Sequence, residues 1–320
     1  MTGIAFVFPG QGSQVVGMGH DLATASAAAA AIFDAADAAL GEPLSTLAWD
    51  GPADDLNRTE NAQPALLAAS MAHLAVLREH LASAGQGTLE PRFMAGHSMG
   101  QYSAMVAAGA ITLEDGFRLV RQRGLLMQAS GSGRDGAMAA IIGLDEAAIP
   151  ELVRRVGAIG TFGVANRNSP GQIVVSGERT AIDASVEIGR ELGARRVIVL
   201  PVSVAAHSPL MAEAAEGMRT VLAEVEFSDP TVPLLANADA HRIETADGCR
   251  TELIEHLTAG VDWVRAVETM AAAGVDTFVE VGPGKVLTNL IKRIAPDARA
   301  IALDDPDAFE RITADPAVTA

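Results

Sequence analysis

Ser98 lies between two glycines in Gly96-His97-Ser98-Met99-Gly100, inside the stretch "MAGHSMGQYSAM" that spans residues 94 to 105. A G-x-S-x-G pentapeptide set between a short apolar strand and a helix is the pattern of a nucleophile elbow. Its tight turn needs glycine beside the serine and lifts the hydroxyl above the sheet edge. The helix starts at the serine, so its unpaired backbone N–H groups lie where an oxyanion would form. The pentapeptide alone arises readily in a chain with 31 glycines. Its strand-turn-helix setting is what gives it weight.

A serine needs a base, and seven histidines are available. His97 adjoins Ser98, but neighbouring side chains on an elbow point apart, so it is expected to pack or to bond the backbone. His20, His73, His80 and His241 fall in helical or polar settings without a partner signal and are expected to be structural or exposed. His207 differs. In "VIVLPVSVAAHSPLM" the chain leaves a strand through small residues and reaches this histidine just before a Ser-Pro helix start, which presents an imidazole to a cleft. Two other motifs fail their context. "GSGRDG" (131 to 136) follows a helix rather than a strand, and "GPGK" (282 to 285) lacks the spacing and hydroxyl residue of a phosphate-binding loop.

The elements that must hold these residues follow from apolar patterning. "GIAFVF" (3 to 8) reads as a buried strand ending in the glycine-rich loop "PGQGSQ", and residues 63 to 85 as a long helix stopped by Gly85. "RFMAGHS" gives a strand, "MGQYSAMVAAGA" a helix and residues 113 to 130 another, an alternation that predicts a mostly parallel, α/β-hydrolase-like sheet. From about residue 137 four short strand-like runs alternate with helical patterns at 145 to 157 and 179 to 192, in the order βαββαβ. That is a ferredoxin-like arrangement, expected as a subdomain at 134 to 203 inserted in a catalytic unit of residues 1 to 133 and 204 to 302. The acidic tail, 303 to 320, is expected to be loosely ordered.

Composition sets outer limits. With 320 residues, 49% of them hydrophobic, the chain can bury a large core. The start "MTGIAFVFPGQG" lacks signal-peptide features, no apolar run is long enough to span a bilayer, and the single Cys249 suits a reducing compartment, so a cytoplasmic location is expected. A net charge of -17 argues against nucleic acid or an anionic membrane as partner. The only two lysines, Lys285 and Lys292, nevertheless fall together in "GPGKVLTNLIKRI".

Over about 300 residues the chain resembles the malonyl-CoA:acyl carrier protein transacylases. The resemblance rests on "FPGQGSQ", "GHSMGQYSA", "RQRGLLMQ", "GAMAAIIGL", "ANRNSPGQIVVSG", "PVSVAAHSPLM" and "VEVGPGKVL", in order and at family spacing. It implies an acyl-serine at Ser98, with His207 as base and then acid, oriented by a backbone carbonyl from the segment holding His256. It implies an oxyanion hole from the backbone N–H groups of Gln11 and Met99, and pairing of Arg123 with the free carboxylate of malonyl. The acceptor it implies is the phosphopantetheine thiol of acyl carrier protein, in fatty-acid synthesis, with coenzyme A thioester as substrate. No metal or bound cofactor, and a monomeric enzyme, are expected. Because carrier proteins are acidic, Arg195, Arg196, Lys285, Lys292 and Arg293 are the candidate landing site.

The chain departs from the family pattern at several points. Gln101 replaces a usual glutamate, Met99 a common leucine, His256 a usual glutamine, Gly260 a usual proline and Ala206 a frequent phenylalanine. Ala206, Gln101 and Asn168 are the positions expected at the acyl pocket. A small residue at 206 leaves open a substituted malonyl group and a polyketide synthase as client. A serine hydrolase that clears carrier-bound thioesters is the rival from another class.

Overall fold

The computed structural model describes residues 3–131, 135–202, 204–305 and 307–315. Eleven strands are found among them: β1 (Gly3–Phe8), β2 (Phe93–Gly96), β3 (Gly136–Ile142), β4 (Phe162–Ser169), β5 (Gln172–Glu178), β6 (Arg196–Val199), β7 (Leu234–Leu235), β8 (Arg242–Ile243), β9 (Val261–Asp262), β10 (Val275–Glu280) and β11 (Arg299–Ala302). They form two sheets. The larger has the order β11-β10-β1-β2-β7-β8 and is parallel except for the β7/β8 pair.

Strand β1 shows why this sheet is central. All six residues are buried, and they alternate between two cores. Ile4, Phe6 and Phe8 join the cluster that holds the helices Ala27–Leu40, Thr59–Ser83 and Leu113–Gly131. Ala5 and Val7 face the helices Trp263–Ala272 and Val286–Ile294 on the other side. A strand buried on both faces reads as a continuous apolar run, and that is how "GIAFVF" reads. The long helix begins at Thr59, before the residue-63 start expected, and accommodates Pro64 within it.

The second sheet has the order β6-β3-β5-β4-β9. Its first four strands are antiparallel and, with the helices Ile149–Gly157 and Arg179–Glu191, form the βαββαβ unit. Ala137, Ala139 and Ile141 pack beneath those helices, whereas Met138, Ala165 and Val174 face the opposite way. Strand β9 was not foreseen. It comes from the segment after residue 260 and pairs in parallel with β4, tying the second sheet to the rest of the chain.

The expectation of a loose tail is overturned for residues 307–315. Ala308–Thr313 is a helix whose Ala308, Phe309 and Ile312 are buried in the main core, and Arg299 pairs with Asp315 at 2.6 Å. An acidic, proline-bearing composition hid three apolar residues at helical spacing. No helix among the described residues is long and apolar enough to cross a membrane.

Candidate active site

Ser98 follows β2 at the carboxyl end of the parallel strands and opens the helix Gly100–Ala107. Its φ is 53°, the left-handed region that side chains rarely occupy. Glycines make the turn possible. A Cβ on Gly96 would lie 1.9 Å from the Gly100 carbonyl carbon, and one on Gly100 would lie 2.2 Å from the Phe8 oxygen. The loop after β1 also leans on the elbow, since a Cβ on Gly10 would meet the His97 oxygen at 2.4 Å. The backbone N–H groups of Gln11 and Met99 donate to no acceptor among the described residues.

The Ser98 hydroxyl lies 2.8 Å from His207 Nε2. His207 also has a left-handed φ, 58°, and its Nδ1 lies 2.6 Å from the His256 carbonyl and 3.0 Å from that of Ala259. Carbonyls only accept, so the ring proton is on Nδ1 and Nε2 is free to take the serine proton. Burial, and then the charge of Arg123, pull the His207 pKa down to about 4, so the imidazole is neutral at pH 7.

Arg123, 1% exposed, reaches the same spot from the helix Leu113–Gly131. It donates from Nη2 to Ser98 Oγ at 3.1 Å and from Nη1 to Gln63 Oε1 at 2.9 Å. It pairs with no carboxylate among the described residues, and its Nε is unsatisfied. Burial pulls its pKa below the ordinary guanidinium value. A buried cation without a counter-ion is costly to fold, and a ligand carboxylate would relieve it.

Two features of the site had no signal in the pattern of the sequence. Asn237 Oδ1 accepts the backbone N–H of Ser98 at 2.8 Å, and Glu252 Oε1 accepts both Asn237 N–H groups, backbone at 2.8 Å and side chain at 3.0 Å. The His256 side chain, which stands where the family usually has glutamine, also takes part. Its Nδ1 lies 2.8 Å from the Glu252 carbonyl and its Nε2 lies 3.3 Å from Arg123 Nη2. A polar residue inside an apolar helix was a usable clue for Gln63, which is fully buried in an alanine- and leucine-rich run.

Other expected site residues fall differently. Gln101 does not line an acyl pocket. It is fully buried beneath the elbow, with Oε1 accepting the Gly96 N–H at 2.9 Å and Nε2 donating to the Leu235 carbonyl at 3.0 Å. An amide serves there because it must both donate and accept. Asn168 Oδ1 on β4 lies 2.9 Å from His97 Nε2, and the His97 ring packs against Trp263 with centroids 5.6 Å apart, so the packing expected of His97 is found together with a side-chain bond that was not expected. Ala206 is partly buried between the main core and the Met138, Ala165 and Val174 face of the second sheet.

Of the basic candidates, Lys285 is taken by Asp305, and Arg293 bonds Gln172 at 2.8 Å and the Pro170 carbonyl at 3.2 Å. Arg195, Arg196 and Lys292 are exposed and make no ion pair among the described residues. His20, His80 and His241 sit against Trp49, Phe309 and Asp239, and His73 is buried on the Ala69 carbonyl. Cys249 is buried and its thiol pKa is pushed up to about 12. Part of "GSGRDG", residues 132 to 134, lies outside the described residues.

An elbow serine bonded to a neutral, carbonyl-anchored histidine at the carboxyl edge of a parallel sheet is the arrangement of a serine-dependent acyl-transfer protein. The chain belongs to the acyl transferase domain family, whose pattern matches residues 5–302. It is 45% identical to the malonyl CoA-acyl carrier protein transacylase of Escherichia coli over 309 residues, 97% of this chain and 98% of that one. Among solved structures it resembles the acyl-carrier-protein S-malonyltransferase of Bartonella henselae, with a TM-score of 0.92, 42% identity and coverage of 97% and 98%. It also resembles a malonyl transacylase in complex with its type II polyketide synthase acyl carrier protein, with a TM-score of 0.91, 40% identity and the same coverage.

Proposed function

We propose that the protein transfers a malonyl group from coenzyme A to the phosphopantetheine thiol of an acyl carrier protein, through an ester on Ser98, and so supplies fatty-acid synthesis. The observation that carries the reading is Arg123, a buried guanidinium without a carboxylate partner among the described residues, 3.1 Å from the serine hydroxyl. An acetyl group would leave that charge unpaired, whereas the free carboxylate of malonyl meets it through a bidentate fork. The names of the relatives support the same donor and acceptor.

The chemistry follows from the hydrogen bonds. Ser98 Oγ attacks the thioester carbonyl as its proton passes to His207 Nε2, and the His256 carbonyl steadies the imidazolium through Nδ1–H. The tetrahedral oxyanion is held by the Met99 and Gln11 N–H groups. Collapse expels the coenzyme A thiol, which takes the proton from His207, and leaves malonyl on Ser98. The carrier thiol then gives its proton to His207 and attacks the ester, and Ser98 recovers its proton as malonyl departs. Each transfer is made by side chains and the two thiols, so the scheme calls on no bound cofactor.

The test is intact-mass measurement after incubation with malonyl-CoA and with acetyl-CoA, followed by holo carrier protein. A malonyl adduct that is absent in Ser98→Ala and is discharged onto the carrier is expected. Arg123→Ala is expected to cut the malonyl preference on the order of a hundredfold, because two charge-assisted hydrogen bonds are lost. Release of free malonate without an acceptor, or equal labelling by acetyl-CoA, would overturn the reading.

A further inference from the structure

Arg123 has a long, flexible side chain and, among the described residues, no carboxylate to aim it. Its direction is set by neutral acceptors: Gln63 Oε1 on Nη1, and Ser98 Oγ with His256 Nε2 on Nη2. These acceptors do not last equally through the reaction. Acylation turns Ser98 Oγ into an ester oxygen, a much poorer acceptor, so in the acyl state His256 is the remaining side-chain hydrogen-bond acceptor for Nη2 among the described residues.

The His256 ring is fixed as an acceptor. Its Nδ1 faces the Glu252 carbonyl one helical turn earlier, at 2.8 Å, which places the proton on Nδ1 and the lone pair on Nε2. Burial, and then the Arg123 charge, keep the imidazole neutral, since a proton on Nε2 would meet the guanidinium N–H head-on. The carbonyl of the same residue receives Nδ1–H of His207 at 2.6 Å. One residue therefore touches both the base and the guanidinium, by different atoms.

We propose that the His256 imidazole is a positioning residue for acyl-group selectivity: by holding Arg123 Nη2 it keeps the guanidinium turned toward the group carried on Ser98. The proposal rests on Arg123 as the carboxylate partner of the acyl group, as argued above. It separates two functions within His256, selectivity in the ring and orientation of the base in the carbonyl. A substitution of the side chain reaches only the first.

The experiment compares kcat/KM for Ser98 acylation by malonyl-CoA and by acetyl-CoA in wild type, His256→Leu and His256→Gln. Leucine keeps bulk without an acceptor, and the malonyl-to-acetyl ratio is expected to fall about tenfold, the effect of one hydrogen bond to a charged group. Glutamine carries an acceptor at the end of its side chain and is expected to restore most of the ratio. An unchanged ratio in His256→Leu overturns the proposal, and so does an equal loss for both substrates, which would mark only damage to the support of His207. Should His256→Leu fail to fold, His256→Asn, too short to reach Nη2, takes its place with the same two readings. Failure of the parent reading shows elsewhere, as a wild type without malonyl preference or an Arg123→Ala that keeps it, both with His256 intact.

Discussion

Glu252 Oε1 accepts both the backbone N–H and the side-chain N–H of Asn237, and Asn237 in turn accepts the backbone N–H of Ser98. A serine held at φ 53° is thus braced by a buried carboxyl two residues removed through hydrogen bonds. The brace and the base share one support. Glu252 and His256 stand on successive turns at the end of the helix Ala246–Glu255, and the Glu252 carbonyl holds the His256 ring.

Burial pushes the Glu252 carboxyl up to about 7 against an ordinary 4.5. A folded-state pKa raised above the unfolded one contributes stability below pH 4.5 that is lost as the pH rises to about 7. Gln at this position keeps an oxygen for Asn237 and removes the titration. Glu252→Gln is therefore expected to gain on wild type between pH 5 and pH 8, by about 3 kcal/mol at most. Urea unfolding of both proteins across that range measures it; parallel stability curves would count against a raised Glu252.

His207 gives the opposite sign. Its pKa, lowered to about 4 by burial and then by Arg123, lies below the unfolded value of 6.5, so its contribution to stability is present above 6.5 and lost as the pH falls toward 4. As a base it stays neutral over the same interval. The single-turnover rate of Ser98 acylation by acetyl-CoA is expected to hold down to about pH 5 and to fall by half near pH 4. Arg123→Met should move that limb upward by removing the neighbouring charge. A limb near 6.5 in wild type would refute the depressed base.

The elements that position this chemistry were largely legible because their signals are local. A two-face-buried strand, an elbow between strand and helix, and the βαββαβ order each announce themselves within a few residues, as at Gly3–Phe8 and Gly96–Gly100. The bonds that brace Ser98 from Asn237 and that join Arg123 to the His256 ring were not legible, because they are contacts between distant segments with no motif of their own. Asn237 meets Ser98 across 139 positions and Arg123 meets His256 across 133, and neither spacing leaves a periodic trace. Gln101 was misplaced for a related reason. A polar residue beside a nucleophile suggests a pocket, whereas a tight turn also leaves backbone groups that need a partner, and its amide satisfies two of them.

The ordered tail yields its own expectation. Phe309 is 7% exposed, packs in the main core and stacks on His80 with ring centroids 5.1 Å apart. Phe309→Ala is expected to lower stability by about 3 kcal/mol, the usual cost of emptying a buried phenylalanine site. Denaturant unfolding decides it. A loss below about 0.5 kcal/mol would restore the view of a loose tail.

The carrier landing site proposed on five basic residues narrows to four. Lys285 is paired with Asp305, whereas the acceptors of Arg293, Gln172 and the Pro170 carbonyl, are neutral and leave its charge uncompensated, like the charges of Arg195, Arg196 and Lys292, which make no ion pair among the described residues. Their place in the fold favours a role. A Cβ on Gly143 would meet Arg195 Cβ at 2.9 Å, Gly143 donates its N–H to the Gly171 carbonyl at 2.7 Å, and Lys292 adjoins Arg293 beside the same turn. That turn follows Asn168, which bonds His97, the neighbour of the nucleophile. An acidic carrier drawn to this edge would deliver its thiol toward Ser98 through long-range attraction, which acts on encounter and is screened by salt. Reversing Arg196 and Lys292 to glutamate is expected to raise the apparent KM for carrier protein by about tenfold at low salt, with acylation of Ser98 by malonyl-CoA unchanged and the difference shrinking as salt is added. Steady-state transfer assays across a salt series provide the measurement. An unchanged KM at low salt would move the landing site away from this edge, and a loss of acylation as well would mean that the two side chains act on the acyl donor instead.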